Sequence, residues 1–174
     1  MPASEELLQL VDRRGRPAGS APRRVCHGDP SLIQAVVHLH LFDDQGRLYL
    51  QKRSASKDTY PGCWDTSVGG HLAPGESPEQ ALAREAREEL SLEVSSAQPL
   101  GCYLLRDAYE SEYVFAFQAR SDCEPHPNRE EIEEGRFFEL KEIRAWMRRE
   151  PQAFTPHFLK AFRKFLASEG RRGR

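Results

Sequence analysis

The chain has 174 residues, of which 30% are charged and 39% hydrophobic, and its formal net charge is −2. This length suits a single domain, residues 1–174, with a real hydrophobic core. The small net charge provides no electrostatic footprint for duplex nucleic acid or for a membrane surface. No apolar run approaches the roughly 18 residues that span a bilayer, and the first residues do not resemble a signal peptide. We therefore expect a cytoplasmic protein without duplex nucleic-acid or membrane partners.

The four cysteines are scattered along the chain, at Cys26, Cys63, Cys102 and Cys123. They form no CxxC pair, and no histidine stands beside them at a zinc-site spacing. Reduced structural thiols, which are typical of a cytoplasmic protein, are the expectation.

The first third of the chain predicts strands. Residues 7–11 are an apolar run that ends in a turn, which is typical of an edge strand. Residues 16–31 are rich in Pro, Gly and Arg and predict a loop, so that 1–34 form an N-terminal strand and lead-in. Residues 35–42 and 48–51, joined by Asp43-Asp44-Gln45-Gly46, predict a hairpin.

The remaining elements follow from alternation, turn residues and caps. We predict a loop over 54–62 and strands over 64–68, 100–106, 113–120 and 136–140, with a loop at 122–128. Helices are expected at 141–149 and 156–168, the second capped by Thr155 and ended by Gly170. Residues 170–174 are expected to be a disordered tail.

The central helix has a well-marked start and a buried face. Ser77 can cap it, Pro78 suits the first turn, and Gln80 completes a capping box. The residues at i, i+4 and i+8 that form its apolar stripe are Leu82, Ala86 and Leu90. This side is expected to pack on a sheet.

Three carboxylates, Glu85, Glu88 and Glu89, are spaced i, i+3 and i+4 and therefore share one face of this helix. Like charges on one face repel unless something positive lies among them, and hard divalent cations prefer oxygen ligands. The pattern favours a metal-dependent reaction on a phosphorylated substrate. The alternative is a solvated acidic face with pairs such as Arg84–Glu88.

The spacing of these residues resembles a known motif. The spacing resembles the Nudix box, G-x5-E-x7-R-E-U-x-E-E-x-G-U. Five residues separate Gly70 from Glu76, and seven residues separate Glu76 from the segment 84–89. Every charged position is present. Ala86 is smaller than the usual aliphatic residue, and Ser91 replaces the usual glycine, which costs energy if the helix ends with a positive φ.

The resemblance implies an α/β protein, a Nudix-type α/β/α sandwich with a mixed β-sheet. Family members mostly hydrolyse the diphosphate linkage of a nucleoside diphosphate joined to another group, using Mg²⁺ or Mn²⁺. By the same resemblance Glu85, Glu88, Glu89 and the carbonyl of Gly70 hold the metal. Arg84 orients the glutamates, and Glu76 pairs with Arg84.

The physical logic agrees with this chemistry. A diphosphate repels an attacking water, and metal ions both screen its charge and lower the pKa of the bound water. A carboxylate of the cluster, such as Glu88, can take the proton. Glu110 and Glu112 are candidates from outside the motif, and the acidic run 130–134 is another, although a solvated patch is the favoured interpretation of that run.

A longer stretch, residues 7–140, resembles the branch of the superfamily that contains isopentenyl-diphosphate isomerase. The similar segments are 51–54, 61–64 and 67–71. That enzyme builds a separate metal site from histidines and glutamates. The residues that fall at such positions are His27, His71, Glu110 and Glu112, and the sequence leaves open whether they form a second metal site.

Two positions depart from the isomerase. Gly69 stands where its catalytic cysteine is expected, and Gln34 stands where a metal-binding histidine is expected. Glycine has no proton to give, and glutamine is a poor substitute for an imidazole ligand. The box glutamates are complete here, whereas the isomerase has lost part of that set. We therefore predict a hydrolase from the isomerase-like branch, the alternatives being an isomerase or a non-catalytic nucleotide-binding module.

Several further residues are candidates for contact with the diphosphate substrate. Arg53 follows a strand near the motif and can neutralise a phosphate, although a solvated basic loop with Lys52 and Lys57 is an equal alternative. His71 follows Gly70 in a loop expected to face the substrate. Glu112 is the third candidate.

Other residues favour structural roles. His38 and His40 share one face of a predicted strand, for which a polar sheet face is favoured over a pair of metal ligands. Trp64 is expected in the core. The sequence does not name the substrate, and a homodimer is a family-level expectation only.

Overall fold

The computed structural model describes residues 5–172, with nine strands and four α-helices in this range. The strands are β1 (Leu7–Val11), β2 (Pro17–Pro22), β3 (Ile33–Phe42), β4 (Leu48–Arg53), β5 (Trp64–Asp65), β6 (Val68–His71), β7 (Gln98–Arg106), β8 (Ser111–Arg120) and β9 (Ile132–Phe138). The helices are α1 (Arg23–Cys26), α2 (Pro78–Leu90), α3 (Leu140–Arg149) and α4 (Pro156–Arg172), with a 3₁₀ turn at Pro151–Ala153.

Strand β3 is the centre of a mixed sheet. It pairs in parallel with β8 along its whole length, from Ile33 opposite Ser111 to Phe42 opposite Arg120. It also pairs antiparallel with β1, β4 and β6. Parallel strands are joined by a crossover connection, and the connection between β3 and β8 contains the helix α2. Strand β7 extends the sheet beyond β8, and β5 and β9 pair with β4.

Helices cover both faces of β3. Its odd-numbered residues pack in one core with the apolar stripe of α2: Ala35, Val37, Leu39 and Leu41 with Ala81, Leu82, Ala86 and Leu90. Its even-numbered residues point to the other face, where the ring of His40 lies 4.9 Å from that of Phe165 in α4. The predicted α/β/α sandwich with a mixed sheet is confirmed.

The second core is aromatic. Phe154, Phe158, Phe162 and Phe165 stack in sequence, with centroid distances of 5.4, 5.3 and 6.1 Å. Trp64, only 6% exposed, packs in the same cluster, as expected. These contacts fix α4 against the sheet, and they bring its first turn to the edge of a cavity.

The prediction of a loop over residues 16–31 was wrong. Pro17–Pro22 form the edge strand β2, and Arg23–Cys26 form the short helix α1. Strand β2 pairs only with β1 in the described part of the sheet, which is where proline and glycine are tolerated in a strand. Pairing with β1, and not local propensity, therefore creates this element.

The single strand predicted over 64–68 is two strands with different partners. Asp65 pairs with β4, whereas Val68 pairs with β3. Between them Thr66 Oγ1 donates to the carbonyl of Leu39 at 2.9 Å, and Ser67 Oγ donates to the carbonyl of Tyr49 at 2.6 Å. The segment crosses between two parts of the sheet at these side-chain bonds.

The C-terminal helix is longer than predicted. Thr155 Oγ1 accepts from the backbone N–H of Phe158 at 3.0 Å, so the predicted cap is confirmed. The helix does not end at Gly170, because α4 continues to Arg172. The expected disordered tail stays a prediction, and its residues 173–174 lie outside the described residues. Strand β9 begins at Ile132, four residues before the predicted start, because its pairing with β4 extends to Arg53.

In the described part of the chain, no helix has the length and apolar character to cross a bilayer.

Candidate active site

The start and end of α2 follow its local sequence. Ser77 Oγ accepts from the N–H of Gln80 at 3.2 Å, and Gln80 Oε1 accepts from the N–H of Ser77 at 2.9 Å, which confirms the capping box. The helix ends at Leu90, and its C-terminal cap is Ser91, whose φ is +53°. A side chain therefore occupies the left-handed conformation that glycine adopts without cost.

The buried and acidic faces of α2 lie where the helical period predicts. Leu82, Ala86 and Leu90 are at most 3% exposed. The adjoining face presents the carboxylates of Glu85, Glu88 and Glu89 to a cavity of about 240 Å³. The helix therefore joins the core to this cavity.

Arg84 is the centre of an ion-pair network. Its Nε and one terminal nitrogen donate to the two carboxylate oxygens of Glu76, each at 2.9 Å. The other terminal nitrogen donates to Glu85 at 2.7 Å and lies 3.3 Å from Glu88. A further bond reaches the carbonyl of His71 at 2.9 Å. The planar guanidinium thus ties the helix to the strand and loop that precede it.

Glu89 is the most buried of the three carboxylates, at 6% exposed. Its Oε2 accepts from the side-chain amide of Gln51 at 2.9 Å and from the backbone N–H of Gly69 at 3.2 Å. Burial, followed by the repulsion of Glu85, raises the pKa of Glu89 to about 8. These two donors hold one oxygen of the carboxylate in place.

Glu85 is also perturbed by burial. Desolvation raises the pKa of Glu85 to about 7, against the opposing influence of Arg84. The Glu88 side chain is 56% exposed and stands at the mouth of the cluster. The buried carboxylate of Glu89 beside the partly buried one of Glu85 calls for a compensating cation, and oxygen-only donors suit Mg²⁺ or Mn²⁺. The residues present fit such a cation, which would compete with Arg84 for Glu85.

Gly70 leaves space for this cluster. A Cβ placed on Gly70 would lie 2.0 Å from Glu85 Cδ and 2.2 Å from its Oε1. Any side chain at this position would therefore push the Glu85 carboxylate away. The reason for glycine here is close approach, since its φ lies outside the left-handed region.

Other charged and titratable side chains line the same cavity. They are Glu6, Asp65, Glu110, Glu112, Glu131, His27, His38, His71, His157, Tyr60, Arg23, Arg53 and Lys57. The structure thus brings all the sequence-predicted site residues except Glu76 to the cavity wall, and Glu76 reaches it through Arg84.

Arg53 is tied to its own loop. Its Nε donates to the carbonyl of Thr59 at 3.0 Å, and a terminal nitrogen donates to Thr59 Oγ1 at 3.2 Å. The other terminal nitrogen lies 3.6 Å from Asp65 Oδ2. Arg53 is therefore a fixed positive charge in the cavity wall, and its role as a phosphate ligand stays a prediction.

His71 lies in β6 with its ring turned to the cavity. Arg23 lies 3.5 Å from its Nδ1, and the ring of His27 lies 6.0 Å away. Burial, followed by the charge of Arg23, lowers the pKa of His71 to about 3, so its imidazole is neutral at physiological pH. A neutral ring can both donate and accept a hydrogen bond.

Glu112 forms a buried pair that the sequence did not indicate. The Nδ1 of His157, in the first turn of α4, lies 2.7 Å from Glu112 Oε2. Although burial opposes the shift, the bond from His157 lowers the pKa of Glu112 to about 2. The bond to Glu112 likewise raises the pKa of His157 to about 9, again against burial. The paired groups are therefore carboxylate and imidazolium at neutral pH.

Two further site residues were missed. Gln51 binds Glu89 across 38 positions of sequence, and Asp107 lies 3.2 Å from His157 Nε2. Gln51 begins the isomerase-like segment 51–54, but that resemblance assigns it no role, and Asp107 belongs to no local motif. Only the register of the strands and the contacts of α4 bring these residues to the site.

His38 and His40 share one face of β3, as predicted, but that face is not a solvated one. The two residues are 6% and 1% exposed, and the ring of Phe165 in α4 lies against His40. His38 lines the cavity, whereas His40 packs under Phe165.

The basic loop and the acidic run 130–134 pair with each other. Lys57 binds Glu131 at 2.6 Å, and Lys52 binds Glu133 at 2.8 Å. Glu130, Glu133 and Glu134 are exposed, as expected for a solvated patch, whereas Glu131 reaches the cavity and Ile132 is buried in the core.

Gly69 and Gln34 occupy the two positions that depart from the isomerase pattern. A Cβ on Gly69 would make ordinary contacts, at 3.4 Å to Thr66 and 3.6 Å to His38. Gln34 is fully buried opposite Glu112 in the sheet, and neither polar atom of its amide has a hydrogen-bond partner among the described residues.

Comparison with known proteins identifies the family. A family model described as the NUDIX domain matches residues 32–158. The chain belongs to the Nudix family. An isopentenyl-diphosphate Delta-isomerase of Brevibacterium linens is 34% identical over 163 residues, covering 90% of this chain and 90% of that protein. The predicted membership of the isomerase-like Nudix branch is confirmed.

Solved structures support the same fold. DR0079 from Deinococcus radiodurans matches with a TM-score of 0.69 at 33% identity, over 82% of this chain and 88% of that one. The Nudix domain of NrtR from Shewanella oneidensis, solved with ADP ribose, matches with a TM-score of 0.54 at 21% identity, over 63% and 74%. The second similarity concerns the Nudix fold alone.

Proposed function

We propose that this Nudix protein is a divalent-cation-dependent hydrolase that cleaves the diphosphate linkage of a nucleoside-diphosphate-type substrate. The observation that carries the proposal is the complete carboxylate set of α2. Glu85, Glu88 and Glu89 line one cavity, and Arg84 contacts two of them. ADP ribose, the molecule bound by the NrtR domain, contains a linkage of this kind.

Each residue of the motif has a distinct task in this proposal. The cation ligands are Glu85, Glu88, Glu89 and the carbonyl of Gly70. Bound magnesium or manganese would screen the negative charge of the diphosphate and lower the pKa of a water molecule bound to the metal. Arg84, held by Glu76, orients Glu85. Glu88, whose side chain is the most exposed, accepts the proton of the attacking water.

The substrate contacts come from the other walls of the cavity. Arg53 supplies a fixed positive charge for a phosphate oxygen. His71, with its neutral imidazole, and Glu112, through the oxygen that His157 does not bind, offer hydrogen bonds to the rest of the substrate. A homodimer and a cytoplasmic location stay predictions.

The decisive experiment replaces one buried carboxylate. Glu89→Gln should reduce cation-dependent turnover at least about 100-fold, because a cation ligand loses its charge. The matched control is Glu93→Gln, an exposed glutamate that pairs with Arg87 away from the cavity. Both variants should fold, as judged by circular dichroism and melting temperature. Unchanged turnover in Glu89→Gln would contradict the mechanism.

A substrate panel identifies what is hydrolysed. It contains nucleoside di- and triphosphates, dinucleoside polyphosphates, sugar nucleotides and isoprenoid diphosphates, each assayed with magnesium and with manganese. We expect turnover of a nucleoside-diphosphate derivative. Tight nucleotide binding without turnover across the panel would instead favour a non-catalytic binding module.

The second candidate function is isomerisation of isopentenyl diphosphate, because the B. linens relative carries that name. Gly69 argues against it, since glycine supplies no acid to protonate an alkene. We expect no isomerised product from the wild-type protein when the reaction is followed by NMR. Product formation at enzymatic rates would reverse this ranking.

A further inference from the structure

An open groove of about 490 Å³ adjoins the cavity of the α2 carboxylates, and the proposed hydrolysis gives it no task. The groove and the cavity share four lining residues: Glu6, Arg23, His27 and Thr59. The groove, which we call the outer groove, is therefore continuous with the cavity. Its volume lies in the usual range for small-molecule sites.

The outer groove begins close to the proposed cation site. His71 follows the proposed cation ligand Gly70 in the chain, and a terminal nitrogen of Arg23 lies 3.5 Å from Nδ1 of His71. The same nitrogen pairs with Glu6 at 3.1 Å, so the guanidinium is fixed where the cavity opens into the groove. A group joined to a diphosphate at the α2 carboxylates reaches the groove past this guanidinium.

Tyr109 provides an open aromatic face on the outer groove. Three large hydrophobic side chains are exposed among residues 5–172, and Tyr109, at 60%, is the most exposed of them. Its backbone is held on both sides, because its N–H donates to Asp107 Oδ1 at 2.7 Å and its carbonyl accepts from the N–H of Gly28 at 2.9 Å. An exposed ring on a fixed backbone adds little to the core, but it is a stacking platform for a planar group.

The other walls of the outer groove are mainly polar. Five of its nine lining residues are charged, and one of these, Asp58, makes no hydrogen bond or ion pair within the described part of the chain. A nucleobase has the complementary character, with flat apolar faces and hydrogen-bonding edges. An isoprenoid chain has no polar edge, so it would displace water from the charged side chains without replacing the hydrogen bonds of that water.

His27 lies where the cavity and the outer groove join. Its Nε2 is buried without a hydrogen-bond partner among the described residues, and Glu110 Oε2 lies 3.6 Å away. Burial, followed by the charge of Arg23, lowers the pKa of His27, so its imidazole is mainly neutral at pH 7. A neutral imidazole can donate and accept, and a sugar hydroxyl between a diphosphate and a base offers both partners.

We propose that the outer groove binds the nucleobase of the substrate, with Tyr109 stacked on the face of the base. This inference rests on the proposed function, because it takes the α2 carboxylates as the site of the diphosphate. Every base has a π face, so stacking on one tyrosine favours nucleotides as a class and does not select one base. Tyr109 is therefore a specificity-determining residue, which separates nucleotides from diphosphates without a base.

The test measures binding and does not depend on turnover. The α,β-methylene analogues of ADP and UDP, whose P–C–P bridge resists hydrolysis, and methylenediphosphonate, which has no nucleoside, are titrated into the full chain with Mg²⁺ by calorimetry. We expect at least one nucleotide analogue to bind at least about tenfold more tightly than methylenediphosphonate. Tyr109→Ala should weaken that binding at least about tenfold and leave the affinity for methylenediphosphonate unchanged. The proton NMR signals of the bound base should shift upfield with the wild-type protein and not with Tyr109→Ala, as ring stacking requires.

Two control variants separate stacking from other effects. Tyr109→Phe keeps the aromatic ring and should bind the nucleotide analogue within about twofold of the wild-type protein. Leu7→Ala removes an exposed apolar side chain that lines neither the cavity nor the outer groove, and it should bind like the wild-type protein. Melting temperatures of all variants show whether the fold is retained.

The outcomes distinguish this inference from the proposed function. Binding that depends on Tyr109, together with no turnover of any substrate in the panel, would support the base site while the proposed hydrolysis fails. Nucleotide binding that Tyr109→Ala leaves unchanged overturns the inference, whether or not the protein is a hydrolase. Tighter binding of isopentenyl diphosphate than of either nucleotide analogue overturns it too, because the groove would then hold an apolar chain.

Discussion

Gly70→Ala gives a direct test of the close packing between β6 and α2. The new Cβ would lie 2.0 Å from Glu85 Cδ, whereas ordinary contacts begin near 3.4 Å. The carboxylate must therefore retreat by about 1.4 Å. The obstacle is the far end of a flexible side chain, so Glu85 moves more easily than the backbone, and the fold should survive.

The functional cost follows from that displacement. Misplacement of a reacting group by 1 Å can cost about 100-fold in rate, and the loss in Gly70→Ala should reach at least that size. Affinity for Mn²⁺ at the α2 carboxylates should fall at least about tenfold for the same reason. Turnover is measured with the best substrate of the panel, and Mn²⁺ binding by electron paramagnetic resonance.

The neighbouring glycine provides the matched control. A Cβ on Gly69 would contact Thr66 at 3.4 Å and His38 at 3.6 Å, which are ordinary distances, and its N–H still donates to Glu89. Gly69→Ala should therefore keep most of its activity and Mn²⁺ affinity. Equal losses in both variants, or full activity in Gly70→Ala, would refute the assignment of Glu85 as a cation ligand.

Three further predictions concern stability. Burial lowers the pKa of His40 to about 3, so below the ordinary pKa of 6.5 the unfolded chain binds a proton that the folded chain does not. The free energy of unfolding therefore falls with pH, by about 2 kcal/mol at pH 5 from this group. In urea titrations the pH-dependent loss of stability should be smaller in His40→Leu than in the wild-type protein by that amount, and equal losses in the two proteins would contradict this. Ser91→Gly should raise the free energy of unfolding by about 1 kcal/mol, because glycine relieves a φ of +53°, and an unchanged melting temperature would argue against strain at this cap. Gly135→Ala should lower the free energy of unfolding by about 1–3 kcal/mol in urea, since its Cβ would lie 1.9 Å from the hydroxyl of buried Tyr49; a neutral result would mean that Tyr49 moves freely.

The sequence predicted α2 and its acidic face well, because their determinants are close along the chain. Ser77 and Gln80 are three residues apart and form the capping box. The helical period places Glu85, Glu88 and Glu89 on one side, whatever the helix packs against. The contact of Arg84 with Glu76 spans only eight positions.

The sequence predicted less where pairing partners decide the structure. Strand β2 has a loop-like composition and exists because β1 pairs with it. Residues 64–68 read as one strand, but Thr66 and Ser67 bond to different strands and divide it. The polar face expected for His38 and His40 is buried, since His38 lies in the cavity wall and Phe165 of α4 packs against His40.

The sequence by itself determined the fold family, the acidic helix and the glycine beside it, since a few turns of chain suffice to specify them. The tertiary structure alone decided which distant groups share the cavity. Gln51 meets Glu89 because β4 pairs with β3 and α2 packs on β3. His157 meets Glu112 across 45 positions only after α4 docks on the sheet. Such contacts depend on strand register and helix packing, which no local spacing encodes.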